Sequence, residues 1–175
     1  AITALYFDNA GALWVGTAFD DYWIGPGEAA LLKIANPADP DNLSWEVEAA
    51  LGDPLSEIDW DVLAIASDDQ DNLWIGTGES LYRQNTEGQW QKLIESDGAP
   101  EYESIGDILF TENAVWIAVR YKGLYRYDAA GWYNLEQEGT GMADSHRLYR
   151  TTDGALWVLT STGAARLMGD PFALD

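Results

Sequence analysis

Four tryptophans recur along this chain inside one short frame, and that recurrence restricts the fold more than any other feature of the sequence. The frame reads Asp8–Thr17 (DNAGALWVGT), Asp68–Thr77 (DDQDNLWIGT), Thr111–Val119 (TENAVWIAV) and Thr151–Thr160 (TTDGALWVLT), centred on Trp14, Trp74, Trp116 and Trp157. The steps between those tryptophans are 60, 42 and 41 residues. Self-similarity at such a period marks an array of like supersecondary units, each needing its neighbours to bury a core. A second landmark follows each Trp: Leu31-Leu32-Lys33, Leu81-Tyr82-Arg83, Leu124-Tyr125-Arg126 and Ala165-Arg166-Leu167. A late aromatic closes each unit at Trp45 (delayed by an insertion), Trp90, Trp132 and Phe172, which leaves only Trp23 and Trp60 outside the repeat.

Each unit reads as four short strands. The first, such as Ile2–Phe7 (ITALYF) or Asp61–Ser67 (DVLAIAS), is nearly all apolar, as a strand buried on both faces should be. An Asp/Asn/Gly turn leads to the Leu-Trp-Ile/Val strand, a longer connection to the Leu-Tyr-Arg strand, and a fourth strand carries the late aromatic. Proline is confined to connections and to the start of the last strand, where no ladder bond is lost. A four-stranded unit of about forty residues in tandem is the signature of a β-propeller blade. The expected fold is therefore all-β, one domain over residues 1–175 with blades near 1–51, 59–95, 104–136 and 145–175.

The runs Asp71-Asn72-Leu73-Trp74-Ile75-Gly76-Thr77 and Gly123–Asp128 (GLYRYD) resemble the two-component regulator propeller repeat. The resemblance implies a ring of about seven blades, often the periplasmic sensing half of a hybrid sensor kinase. Four repeats are about half of such a ring, and no strand is exchanged between the chain ends to lock it. Three arrangements follow: a closed four-bladed ring, a part of a larger propeller, or a half that completes itself by self-association. Opening at Ala1 rather than at a methionine, the chain is expected to be a processed or excised product.

Composition narrows the partners. Nine Lys+Arg stand against 30 Asp+Glu, a formal net charge of −21. Such a field repels phosphate backbones and anionic lipid, so neither nucleic acid nor a membrane surface is expected as a partner. Hydrophobic residues make up 47 % of the chain, enough for a core, but no apolar run reaches the ~18 residues of a membrane span. With no cysteine, disulfides, thiolate metal sites and thiol nucleophiles are absent.

Catalytic constellations are thin. His146 is the sole histidine, and Asp144-Ser145-His146 holds the letters of a triad without the convergence from separate segments that a triad needs. Asp68, Asp69 and Asp71 form the best calcium candidate, but they lack the order of a calcium loop and suit a tight turn for backbone reasons alone. No catalytic residue, cofactor or resident metal is expected. The repeat tryptophans are read as filler between blades.

Loop lengths point to a binding face. In a meander, the connections between strands two and three and those between blades share one face. Here that face holds the long pieces, 18–28, 52–61, 95–103 and 136–144. Long loops on a rigid scaffold are where binding concentrates. Tyr22, Trp23 and Trp60 belong to it, as do Arg120, Lys122, His146 and Arg147, a cationic group that the repeat does not require. These seven are the candidate ligand- or partner-binding residues, with internal pairing to Glu103, Glu138 or Asp144 as their structural alternative. The expected function is non-enzymatic recognition of a small ligand or protein partner, in a periplasmic or extracellular setting that the family resemblance implies. A scaffold subunit of a larger assembly is the second reading, and a propeller lyase or glycan-active enzyme the third.

Overall fold

Local folding begins at the aspartate that opens the first turn of a unit. Asp8 accepts the Ala12 amide at 2.8 Å on one carboxylate oxygen and the Trp14 indole N–H at 2.9 Å on the other. Asp68 repeats this, accepting the Gln70 and Asn72 amides, the Asn72 side chain, the Trp74 indole N–H and the Arg83 guanidinium. One side chain thus closes the turn, fixes the ring of the next strand and ties down the strand after it. That is the physical content of the spacing Asp-x5-Trp. The third unit has Thr111 at this place, whose hydroxyl and amide both donate to the Ala114 carbonyl.

A computed structural model describes residues 1–18, 31–39, 41, 43–47, 61–93, 98–100, 103–135, 142 and 144–167. They form four antiparallel sheets. The first is β1 (Ile2–Phe7), β2 (Leu13–Thr17), β3 (Leu31–Ile34) and β4 (Trp45–Val47); the second is β5 (Val62–Ser67), β6 (Leu73–Thr77), β7 (Leu81–Gln84) and β8 (Trp90–Leu93). The third is β9 (Ile105–Phe110), β10 (Val115–Val119), β11 (Gly123–Asp128) and β12 (Gly131–Asn134). The fourth has β13 (Ser145–Arg150), β14 (Leu156–Thr160) and β15 (Gly163–Leu167) as its described strands. In every sheet, order in space follows order in sequence, the meander of a propeller blade. The protein is a four-bladed all-β propeller.

Register explains how one sequence frame serves two blade faces. Each innermost strand carries a bulge at the same place, between the partners of Thr17 and Gly16 in β1 and between those of Thr77 and Gly76 in β5. As a result Ala4, Tyr6, Trp14 and Gly16 share the face toward the next blade, while Ile2, Leu5, Phe7, Leu13 and Val15 share the other. The same sets recur in register through the later blades.

Three apolar cores lie between successive blades: Trp14 and Leu31 against Ile65, Ile75 and Tyr82; Trp74 and Leu81 against Ile105, Ile108 and Ile117; Trp116 and Leu124 against Leu148, Leu156 and Val158. Trp74 also meets Phe110 edge to face at 5.7 Å. The third-strand cations do more than neutralise acids, for they cover the rings: Lys33 lies 4.8 Å from the Trp14 centroid, Arg83 5.5 Å from Trp74 and Arg126 5.7 Å from Trp116.

The packing runs β1 on β5, β5 on β9 and β9 on β13; among the described residues β13 and β1 form no comparable contact. Two expectations change accordingly. The first strand is not buried on both faces in blade one, where Ile2, Leu5 and Phe7 are exposed. Trp157, read as inter-blade filler, is only half-buried, and its neighbours Tyr149 and Leu159 are exposed. Among the described residues, no blade lies against either of these faces.

Candidate functional site

The long-loop face is organised by one repeated backbone hydrogen bond. The residue after each second strand donates its amide to the residue before the first strand of the same blade. The pairs are Ala18 to Ala1 at 2.8 Å, Gly78 to Asp61 at 3.2 Å, Arg120 to Ser104 at 2.9 Å and Ser161 to Asp144 at 3.2 Å. A further link from Glu103 to the Glu79 carbonyl, 3.0 Å, joins blade three to blade two. In each blade the first residue after the second strand is therefore tied to the blade entry.

On blade three this turn is Arg120-Tyr121-Lys122. Tyr121 adopts φ 64°, a left-handed conformation rarely taken by a side chain of its size. Its amide donates to Asp144 Oδ1 at 3.3 Å, and its ring is 75 % exposed. The other oxygen of Asp144 lies 3.3 Å from His146 Nε2, so one carboxylate ties the blade-three turn to the entry of blade four. Lys122 Nζ pairs with Glu103 at 3.3 Å. Arg147 donates from Nη1 to the Gly106 carbonyl at 2.5 Å, across the junction of β9 and β13. The exposed Arg120 side chain has no ion-pair partner among the described residues.

Of the seven residues singled out in sequence, Arg120, Lys122, His146 and Arg147 come together at this junction. Tyr22, Trp23 and Trp60 lie outside the described residues, as does Glu138. The structural alternative holds in part, because Lys122 and His146 have the acidic partners Glu103 and Asp144. Tyr121 was missed. It lies between two of the chosen cations, at the place where the equivalent turn of blade two has Glu79.

At the same junction, Asp107 accepts the Leu148 amide at 2.9 Å. Burial pushes its carboxyl above the ordinary range, opposed by the amides of Leu148 and Ile108 and by the charge of Arg147. Ser145 is fully buried and donates its hydroxyl to the Met142 carbonyl at 2.8 Å, so it is committed elsewhere and does not address His146. The triad letters are not a triad.

The opposite face carries the aspartate turns. Asp68 is spent on its own turn, Trp74 and Arg83, and burial, which raises its pKa, is outweighed by the Asn72 side-chain and backbone hydrogen bonds that hold the carboxyl below 3.8. Asp71, at φ 62°, accepts from the Asn9 side chain. Among the described residues no group of three His, Asp or Glu converges as a metal centre. A polar cleft of about 340 Å³ does lie there between blades one and two, lined by Asn9, Trp14, Lys33, Asp71 and Asn85. Its lining comes from turn and strand positions that the repeat itself supplies, so the sequence does not set it apart.

Residues 61–79 match the model of the two component regulator propeller family, and they span the first and second strands of blade two. No curated protein matches the chain. Among solved structures, the extracellular domain of BT4673, from a hybrid two component system of B. thetaiotaomicron, superposes with a TM-score of 0.73 at 16 % identity. That match covers 97 % of this chain and 21 % of that one. PorZ, a bacterial surface component of the type-IX secretion system of Porphyromonas gingivalis, gives 0.72 at 14 % identity, covering 94 % and 25 %. Virginiamycin B lyase from Staphylococcus aureus gives 0.60 at 15 % identity, covering 98 % and 57 %. These likenesses concern the fold, and the chain spans about a quarter or less of the length of the first two.

Proposed function

We propose that the chain is a non-enzymatic recognition module of the periplasmic or extracellular side, and that the β10–β11 turn reads its partner. The observation that carries this is Tyr121, an exposed ring on a left-handed backbone, braced by Asp144 and flanked by Arg120 and Lys122. A rigid aromatic supplies contact area at little entropic cost, and an arginine beside it can grip a carboxylate with two parallel hydrogen bonds. The net charge of −21 does not forbid an acidic ligand, since screening limits each charge to about 8 Å at physiological salt. Within that range Glu103 and Asp144 already face Lys122 and His146. The partner that fits is a protein segment with an aromatic side chain beside a carboxylate. The extracellular domain of BT4673 and the surface component PorZ, which share the fold, support the compartment and the non-catalytic class.

Selection of a random-peptide phage library on the immobilised chain tests the proposal. Enrichment of peptides with Asp or Glu next to Phe, Tyr or Trp is expected, with binding lost to the triple variant Arg120→Ala, Tyr121→Ala, Lys122→Ala. Peptides that bind wild type and variant equally, or that protect the Asn9–Asp71 cleft instead, would overturn it. The scaffold reading is favoured separately by the uncovered faces of blades one and four.

A further inference from the structure

The cleft between blades one and two is bordered by two residues that differ from their counterparts at the next interface. There the Trp74 ring meets Phe110 at 5.7 Å and Tyr127 at 6.3 Å. Phe110 closes the innermost strand of blade three, opposite Val115, and Tyr127 lies on its third strand, opposite Trp132. The same positions in blade two are Ser67, opposite Leu73, and Gln84, opposite Trp90. A hydroxymethyl group and an amide thus stand in place of two aromatic rings. Next to Trp14 they border a polar cleft of about 340 Å³ where the second interface has packed rings.

Two groups of opposite charge line this cleft without being spent on each other. At the third-strand position of Lys33, Arg83 and Arg166 pair with the turn aspartates of their own blades, Asp68 and Asp153. Among the described residues Lys33 has no ion-pair partner. It lies over the Trp14 ring, and the two oxygens of Asp8 accept from the Ala12 amide and the Trp14 indole. From blade two, Asp71 accepts on one carboxylate oxygen from the Asn9 side chain, and among the described residues its other oxygen has no donor. Gln84 donates from its amide nitrogen to the Gly88 carbonyl, which leaves its side-chain oxygen able to accept.

Charge then decides what fits. A plain anion meets Asp8 and Asp71 as well as Lys33, and a plain cation meets Lys33. A sugar ring cannot stack on Trp14, because that ring is 5 % exposed and Lys33 lies 4.8 Å from its centroid. A small zwitterion satisfies both open charges at once, each through charge-assisted hydrogen bonds. We infer that the cleft is a binding site for a free α-amino acid with a short polar side chain. Its carboxylate pairs with Lys33, its ammonium with Asp71, and its side chain bonds to the Gln84 and Asn9 amides. This site is independent of the Tyr121 turn, which lies on the opposite face.

Titration calorimetry of the chain with free serine, threonine, asparagine and glutamine tests this. At least one of the four should bind with a Kd of about 1 mM or tighter. Its N-acetyl and methyl-ester forms should each bind at least about tenfold more weakly, and so should the free amino acid to Lys33→Gln or Asp71→Asn. Ser67→Phe with Gln84→Tyr, which supplies the side chains of the second interface, should abolish binding; the two charge variants serve if that one unfolds. The triple variant Arg120→Ala, Tyr121→Ala, Lys122→Ala should bind the amino acid as wild type does, so this site and the peptide-reading turn can fail separately. Three results would overturn the inference: none of the four amino acids binds, the blocked forms bind as well as the free one, or uncharged glucose binds as tightly and equally well to Lys33→Gln.

Discussion

Trp74 and Trp157 occupy the same place in the same ten-residue frame, yet one is 3 % exposed and the other half-buried. Their own strands do not explain the difference. Both rings lie on the second strand of a blade, opposite an arginine of the third: Arg83 for Trp74 and Arg166 for Trp157. What differs is the next blade. Ile105, Ile108 and Phe110 cover Trp74, and among the described residues no blade covers Trp157. In a repeat protein the sequence of a unit sets its shape, while burial of a side chain depends on the unit that follows.

That contrast yields graded expectations. Trp74→Ala should cost about 3–5 kcal/mol, because its cavity opens inside the central core. Denaturant unfolding checks this, and a midpoint near wild type would mean that the second interface does not hold the fold. Asp68→Ala should cost roughly 2–3 kcal/mol, since it removes charged hydrogen bonds to Trp74, Asn72 and Arg83 at once. Asp153 makes the parallel contacts to Thr151, Ala155 and Arg166 in the solvent-facing turn of blade four, so Asp153→Ala should shift the midpoint much less. Equal shifts for the two would break the comparison. Trp157→Ala should cost about 1 kcal/mol or less while the face stays uncovered, and more once another blade covers it.

The smallest effects are in pH dependence, and the two carboxylates run in opposite directions. The carboxyl of Asp68 is held below 3.8, so its stabilisation is present above that value and is lost as pH falls through the lowered folded pKa. The carboxyl of Asp107 is raised by burial, so its ionisation works against the fold, and this loss develops as pH rises through the raised folded pKa. Asp107→Asn keeps an acceptor for the Leu148 amide and should raise the melting midpoint slightly at neutral pH, with the gain vanishing at about pH 3. A variant that melts lower at neutral pH would show that the Asp107 charge is needed against Arg147.

Much of this architecture was legible in the sequence because the repeat states it several times. Trp14, Trp74 and Trp116 marked the second strands, and Leu31, Leu81 and Leu124 the third strands that pack beside them. The bulge that sends Ile2 and Leu5 to the same face was not legible, since one extra residue leaves no mark in an apolar run such as ITALYF. Nor could the sequence show which blade faces stay open, as that depends on packing between units. For the candidate site, charge outside the repeat led to Arg120, Lys122, His146 and Arg147. Tyr121 escaped notice because an aromatic residue in a Tyr-rich chain gives no signal until its backbone is seen at φ 64°.

Native-state hydrogen exchange on the unmodified chain addresses the contrast between covered and open blades most directly. Amides of β6 and β10, each between packed blades, should exchange only through global unfolding. Those of β1 and β14 should exchange faster by local opening, because Leu5, Phe7, Tyr149 and Leu159 face solvent. Protection of β1 and β14 equal to that of β6 would mean that the end faces are covered, and would contradict the account.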